Sequence, residues 1–337
     1  MSDAQVAGSL TQMICGYWHS QAIYAAAKLG IADLLKNGPR TVDELAAATE
    51  TKPDFLFRLL RALASLGIFA EQTPRTFGLT PMAELLQSNV PGSQRSLVLM
   101  MGEEHYTVWG KLVEILHTGD NAFEKTLGAP IFEWLSQHPE QGQIFDEAMT
   151  GIHGRETAAV LAAYDFSQYK QLVDVGGGNG SKIAAILQHH PSLQGVLFDL
   201  PHVVDRAAPR LIEAGVADRC ELARGSFFEA GGIPAGADAY LMRHIIHDWD
   251  DDKSLAILRN CHAAMPIGGK LLLVESVIPP GNGPFATKFL DLTMMLIPGG
   301  KERSALEYRT LYEQAGFELT RIVATTTEIS VIEGTKR

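Results

Sequence analysis

Cysteine is scarce in this chain. Its 337 residues include three, Cys15, Cys220 and Cys261, far apart and without pattern. That argues against a disulfide framework or a Cys-based zinc site, and it fits a reducing cytoplasm. Positive charge is also in deficit: 28 Lys and Arg face 39 Asp and Glu, for a formal net charge of −11. Nucleic-acid binding normally demands a basic surface, so no such partner is expected. No run of about eighteen apolar residues occurs, so no membrane span is expected. The first residues lack the basic and apolar regions of a signal peptide. There is no internal repeat and no low-complexity tract. What is plentiful is apolar character, at 46% of residues. Over this length that supports a large core and two domains.

The first hundred residues read as helices followed by a small wing. Trp18 to Leu29 is apolar at helical spacing. Thr41 and Glu44 have capping-box spacing, and Pro53 suits the first turn of the next helix. Phe55, Leu59, Leu60, Leu63 and Leu66 are expected to form that helix's apolar face, ended by Gly67. Ile68–Ala70 and Phe77–Leu79 read as two short strands. Helix, helix and wing make a winged-helix arrangement, which raises DNA binding. Residues 1–100 hold eight Lys/Arg and eight Asp/Glu, a local net charge of zero, so a dimerisation role is the expectation. Residues 105–165 read as connecting helices interrupted at Pro130 and Pro139. From Tyr169 onward, seven strands alternate with helices, and the last two lie too close for a helix between them. The expected fold is α/β: a Rossmann-like doubly wound sheet with an antiparallel edge hairpin, behind a helical winged-helix domain. The boundaries are 1–104 for dimerisation and 105–337 for catalysis, with 105–165 contributing to a substrate pocket.

Leu172–Gly180 reads as a buried strand running into a glycine-rich turn, with a helix from Ser181. Glycines there let backbone approach a nucleotide-like ligand closely. A dinucleotide fingerprint places glycines first, third and sixth. Here Gly176, Gly178 and Gly180 are followed by Ser181 at the sixth position, and Asp174 precedes them. That acid would repel a polyphosphate and attract an amine or sulfonium. The loop resembles that of S-adenosylmethionine (SAM) methyltransferases. Asp199 ends the second strand, nineteen positions after Gly180, where an acid can accept hydrogen bonds from ribose hydroxyls. Arg243 to Trp249 follows the fourth strand, at the sheet end where ligands bind. A histidine there can take a proton near neutrality, although the acids beside it could equally cap a helix.

Leu172–Gly180, Phe198–Val204, His247-Asp-Trp249 and Gly299-Gly-Lys-Glu-Arg303 occur together and in order. Jointly they resemble small-molecule O-methyltransferases of the plant caffeate and flavonoid, vertebrate hydroxyindole and bacterial antibiotic-tailoring kind, over nearly the whole chain. The resemblance implies that the glycine loop, Asp199 and Leu200 hold SAM. It implies His247 as general base on the acceptor hydroxyl, Glu275 and Glu307 as the glutamates flanking it, and Asp248 as the acid beside it. Arg243 falls where plant enzymes carry a lysine near the cofactor. Phe145 and Met149 resemble residues that pack on an aromatic acceptor, and Met294 and Met295 are further pocket candidates. No metal is implied, and a homodimer through the N-terminal domain is.

The chain also departs from the plant pattern. Gly225-Ser226-Phe227-Phe228 stands where Gly-Asp-Met-Phe is usual, leaving Ser226 for the adenine amine and Phe227 to stack on the ring. Ile297 replaces a polar residue that some plant enzymes use on substrate. Alternatives are a metal-dependent O-methyltransferase, methylation of nitrogen or carbon on the same fold, and a SAM-binding winged-helix regulator without catalysis. The acceptor's identity is not legible.

Overall fold

The computed structural model describes residues 2–337, side chains at 152–155 excepted. The chain divides into two compact units, one of residues 1–110 and 135–152, the other of 111–134 and 153–337.

In the first unit, Asp3–Ile14 and Tyr17–Lys28 are helices. Thr41 and Glu44 form the expected capping box at the start of helix Val42–Ala48. A three-stranded sheet of β1 (Arg40–Thr41), β2 (Phe69–Thr73) and β3 (Thr76–Leu79) has the order β1-β3-β2. Its β2–β3 hairpin is the expected wing. Helix Pro53–Ser65 buries Leu56, Leu60 and Leu63, spaced four and three residues apart on one face. The expected face was partly wrong. Phe55 is 70% exposed, because it lies about 100° around the helix from Leu56.

The second unit holds strands β4 (Gln171–Val175), β5 (Gln194–Asp199), β6 (Cys220–Arg224), β7 (Ala239–Arg243), β8 (Lys270–Ile278), β9 (Arg303–Ser304), β10 (Phe317–Ala324) and β11 (Ile329–Lys336). Their order is β10-β11-β8-β7-β4-β5-β6, with β9 pairing β8. The strands from β8 to β6 run parallel, and β10 and β11 form the antiparallel edge hairpin. Alternation along the strands feeds two cores. Leu172, Leu197, Leu241 and Leu272 pack with Ile183, Leu187 and Leu211 on one face. Val173, Phe198, Tyr240, Met242 and Leu273 pack with Leu258, Tyr308 and Tyr312 on the other. With both faces covered, the central strands read as nearly continuous apolar runs. The chain order reverses between β4 and β7, and in such sheets ligands bind outside the carboxyl ends of the strands flanking that point. Among the described residues no helix is long and apolar enough to cross a membrane.

Candidate active site

The glycine turn leaves β4 at this switch point. Gly176, Gly178 and Gly180 all have positive φ (69°, 59° and 77°), a region that favours glycine. The amides of Gly176 and Gly177 both donate to the Phe198 carbonyl, at 2.8 and 3.2 Å. Asp199 ends β5 and fastens the turn's far side. Its Oδ2 accepts from the Gly178 amide at 2.9 Å and its Oδ1 from the Leu200 amide at 2.7 Å. Burial raises the carboxyl's pKa against the pull of these two bonds. Each oxygen keeps a second lone pair for a hydroxyl donor. A Cβ on Gly176 would collide with Ile245 and meet Phe227 at 3.8 Å, so the missing side chain leaves a cradle walled by apolar groups. Ser226 accepts from the Phe228 amide at 3.2 Å, closing the turn after β6. Leu200 is 41% exposed. These residues fit a nucleoside cofactor.

Asp174 departs from expectation. Its side chain is fully buried and faces Lys182, with Nζ 2.6 Å from Oδ1. The acid is therefore neutralised inside the fold and is not presented to a sulfonium. Arg243 ends β7 and donates from Nη1 to Thr157 Oγ1 at 2.7 Å; burial lowers its pKa.

His247 lies in a short 3-10 turn after β7 and is 7% exposed. Its Nδ1 is 2.7 Å from Glu302 Oε1 and 3.7 Å from Glu275 Oε2, and its Nε2 is 3.5 Å from Asp248 Oδ1. Burial works to lower the imidazole's pKa. The charges of Glu275 and Asp248 and the Glu302 bond outweigh it and push the pKa up to about 10. Burial in turn pushes Asp248 up to about 7, against the pull of His247. Glu275 also shapes the turn: its Oε1 accepts from the amides of Ile245 and Ile246 at 3.1 and 3.0 Å. His244 precedes them at φ 53°, an uncommon conformation for a side-chain-bearing residue. Its Nε2 bonds Glu156 Oε2 at 2.9 Å, and its ring lies 5.0 Å from that of His247. His244, His247 and Glu275 offer donor atoms within 4.8 Å of one another, spacing a metal ion could use. At 2.7 Å the contact between His247 Nδ1 and Glu302 has the length of a charge-assisted hydrogen bond.

Glu302, not Glu307, is the second glutamate against the imidazole. Glu307 is the third residue of helix Ala305–Gln314, where it forms a capping box with Ser304. It also pairs with Lys301 at 3.1 Å, and its side chain is 48% exposed. The signal that separates the two was in the sequence: Ser304-x-x-Glu307 is a capping-box spacing. Glu302 instead adjoins β9, whose Arg303 aligns with Val277 on the strand carrying Glu275. Arg303 is fully buried. It donates to the carbonyls of Ile246 at 3.0 Å and Trp249 at 2.9 Å and to Asp251 Oδ1 at 2.8 Å, gripping the His247 turn from outside. Gly300 permits that approach, since a Cβ there would collide with the backbone of His247 and Asp248.

The pocket candidates divide between the units. Phe145 and Met149 are half-buried in the first; Met294 and Met295 are half-buried in the second, on helix Thr287–Leu296. The Met294 carbonyl accepts from the amides of Gly299 and Gly300, at 2.9 and 3.0 Å.

A glycine turn at a switch point, an acid on the next strand and a buried imidazole held by carboxylates fit the class of nucleoside-cofactor enzymes. Comparison with known proteins narrows it. Residues 109–318 match the O-methyltransferase domain and residues 11–89 the O-methyltransferase dimerisation domain. The chain belongs to this family and is a SAM-dependent O-methyltransferase. It is 47% identical over 324 residues to the phenazine O-methyltransferase PhzM of Lysobacter antibioticus, covering 96% of this chain and 94% of that protein. It is 36% identical over 305 residues to the 8-amino-8-demethylriboflavin N,N-dimethyltransferase of Streptomyces davaonensis, covering 89% and 87%. The crystal structure of LaPhzM matches with a TM-score of 0.94 at 46% identity, covering 98% of this chain and 99% of that one. NcsB1, from neocarzinostatin biosynthesis, in complex with SAM and 2-hydroxy-5-methyl naphthoic acid, matches with a TM-score of 0.84 at 32% identity, covering 95% and 96%.

Proposed function

We propose that this enzyme methylates a hydroxyl on a small, aromatic, phenolic acceptor, with His247 as general base. The observation that carries the reading is the buried His247 imidazole, held on Nδ1 by Glu302 at 2.7 Å with Glu275 and Asp248 beside it. When bound, SAM supplies a methyl group on a sulfonium that is already a good leaving group. The chain's own residues then have two tasks, positioning the acceptor and removing its proton. Glu302 fixes the ring and holds a proton on Nδ1, so that once the imidazolium gives up its other proton Nε2 is the nitrogen left to accept, as with the acid in a Ser-His-Asp triad. The carboxylates stabilise the imidazolium that forms. A phenol has a pKa near 10, so its proton would pass to an imidazole of similar affinity, a matched transfer. Glu275 holds the turn through two amides, so base and loop are set together.

The acceptor class is supported by the aromatic substrates that the relatives' names carry. The N-terminal unit exposes Val6, Leu10, Met13, Ile14 and Trp18 at 53–77% and matches a dimerisation domain, so we read the enzyme as a homodimer through that unit. A cytoplasmic site of action fits its three free cysteines.

The test is transfer of labelled methyl from SAM to acceptors paired so that one carries an aromatic hydroxyl and its isostere an aromatic amine, with and without exhaustive chelation. The expected result is O-methyl product from the hydroxyl member, undiminished by chelation. Methylation of the amine alone, or loss of turnover on chelation, would sink the reading.

A further inference from the structure

Lys182 is locally out of place. It is the second residue of helix Ser181–His189, where the macrodipole disfavours a cation, and it is 5% exposed, where a lone ammonium is costly. A residue that breaks two local rules usually answers a constraint elsewhere. Here the constraint is Asp174, the residue before β4 ends. Nζ sits 2.6 Å from Asp174 Oδ1, both groups buried. The other carboxylate oxygen lies beneath the turn, 3.2 Å from where a Cβ on Gly177 would fall. Asp174 enters the turn and Lys182 leaves it, so their pair closes the loop from below. Asp199 closes it from the far side through the Gly178 amide. Lys182 also lines a cavity of about 10 Å³ with Val160, Ile186, Leu241 and Val274, an apolar surrounding in which its charge depends on Asp174. Burial pushes the ammonium's pKa down, against the pull of Asp174.

We propose that Lys182 is a positioning residue for the methyl donor: its ion pair with Asp174 clamps the two arms of the glycine turn into the shape that receives SAM. It acts through the loop and does not touch the reacting atoms. The inference rests on the reading that this turn holds SAM.

The experiment compares wild type, Lys182→Met and the double variant Asp174→Asn/Lys182→Met. It measures SAM affinity by calorimetry, kcat and KM for SAM, and thermal unfolding. Lys182→Met is expected to weaken SAM binding by roughly tenfold or more, about 1.4 kcal/mol, and to raise KM for SAM in step. Its kcat at saturating SAM is expected to stay within about twofold of wild type, as for a loss of uniform binding. The double variant removes the orphaned buried charge, so its melting temperature should recover towards wild type. Its SAM affinity should stay weak, because the clamp is still missing. If affinity recovers along with melting temperature, the pair is merely structural and the proposal is overturned; unchanged affinity in Lys182→Met overturns it too. Failure of wild type to bind SAM would instead overturn the loop reading, and the clamp with it.

Discussion

Replacing His247 by Gln is expected to lower turnover roughly 10²–10⁴-fold, the usual contribution of a positioned base, with SAM affinity retained. Gln keeps a polar group of similar reach but cannot take a proton. The surrounding charges make the position unforgiving. Glu275, Glu302 and Asp248 all face the imidazole, and they would stabilise a cation that the variant cannot form. His247→Ala is expected to lose as much. SAM affinity should survive because the groups that shape the glycine turn, Asp199 and the Phe198 carbonyl, belong to β5. Turnover near the wild-type level in either variant, with SAM still bound, would remove His247 from the role. Titration calorimetry with SAM beside a turnover assay separates these outcomes.

The second large effect is expected at Glu302, in contrast with Glu307. Glu302→Gln exchanges the charged partner of Nδ1 for a neutral one and allows the wrong tautomer. Turnover should fall roughly 10²-fold. That is less than the roughly 10⁴ seen when a triad acid becomes its amide, because Glu275 and Asp248 remain. Glu307→Ala should leave turnover within about twofold of wild type and cost about 0.5–1 kcal/mol of stability, the low end of what a helix cap contributes. Its ion pair with Lys301 is half exposed and adds little. Turnover and denaturant unfolding on both variants decide the assignment. A turnover loss at Glu307 matching that at Glu302 would restore the assignment made from resemblance alone.

The methyltransferase fold was legible because its determinants are local. Buried parallel strands announce themselves as apolar runs such as Val196–Phe198 and Leu271–Val274. The missing helix between β10 and β11 announced a hairpin. The glycine turn and Asp199 were legible for the same reason, since strand ends and spacing fix them. What could not be read depended on pairing across the fold. Asp174 reads as attracting a sulfonium because its charge stands just before the glycines; its partner lies eight positions on, past the turn. Lys182, in the first turn of a helix, carries no sequence signal of its partner, since only the fold sets it against Asp174. Glu302 and Glu307 both follow the Gly-Gly pair; the capping-box spacing could have marked Glu307 as a cap, but that Glu302 reaches the imidazole depends on the alignment of β9 with β8. The left-handed backbone at His244 carries no sequence mark, since Gly is what usually announces φ above zero. The Phe55 error had a different origin: a helix with apolar residues on two adjacent faces does not say which one a single chain buries.

The central claim is that a carboxylate-held imidazole takes the acceptor's proton, and the pH–rate profile tests it most directly. With the pKa of His247 pushed up to about 10, the imidazole holds its own proton below that point and is free to act as a base above it. The acceptor's own ionisation contributes to any single profile, so the quantity to measure is the ratio of wild-type to His247→Gln kcat/KM across pH 6–11. The ratio is expected to climb with pH and level off only near pH 10. A ratio that does not vary with pH, or one that levels off at the ordinary histidine value of about 6.5, would contradict it.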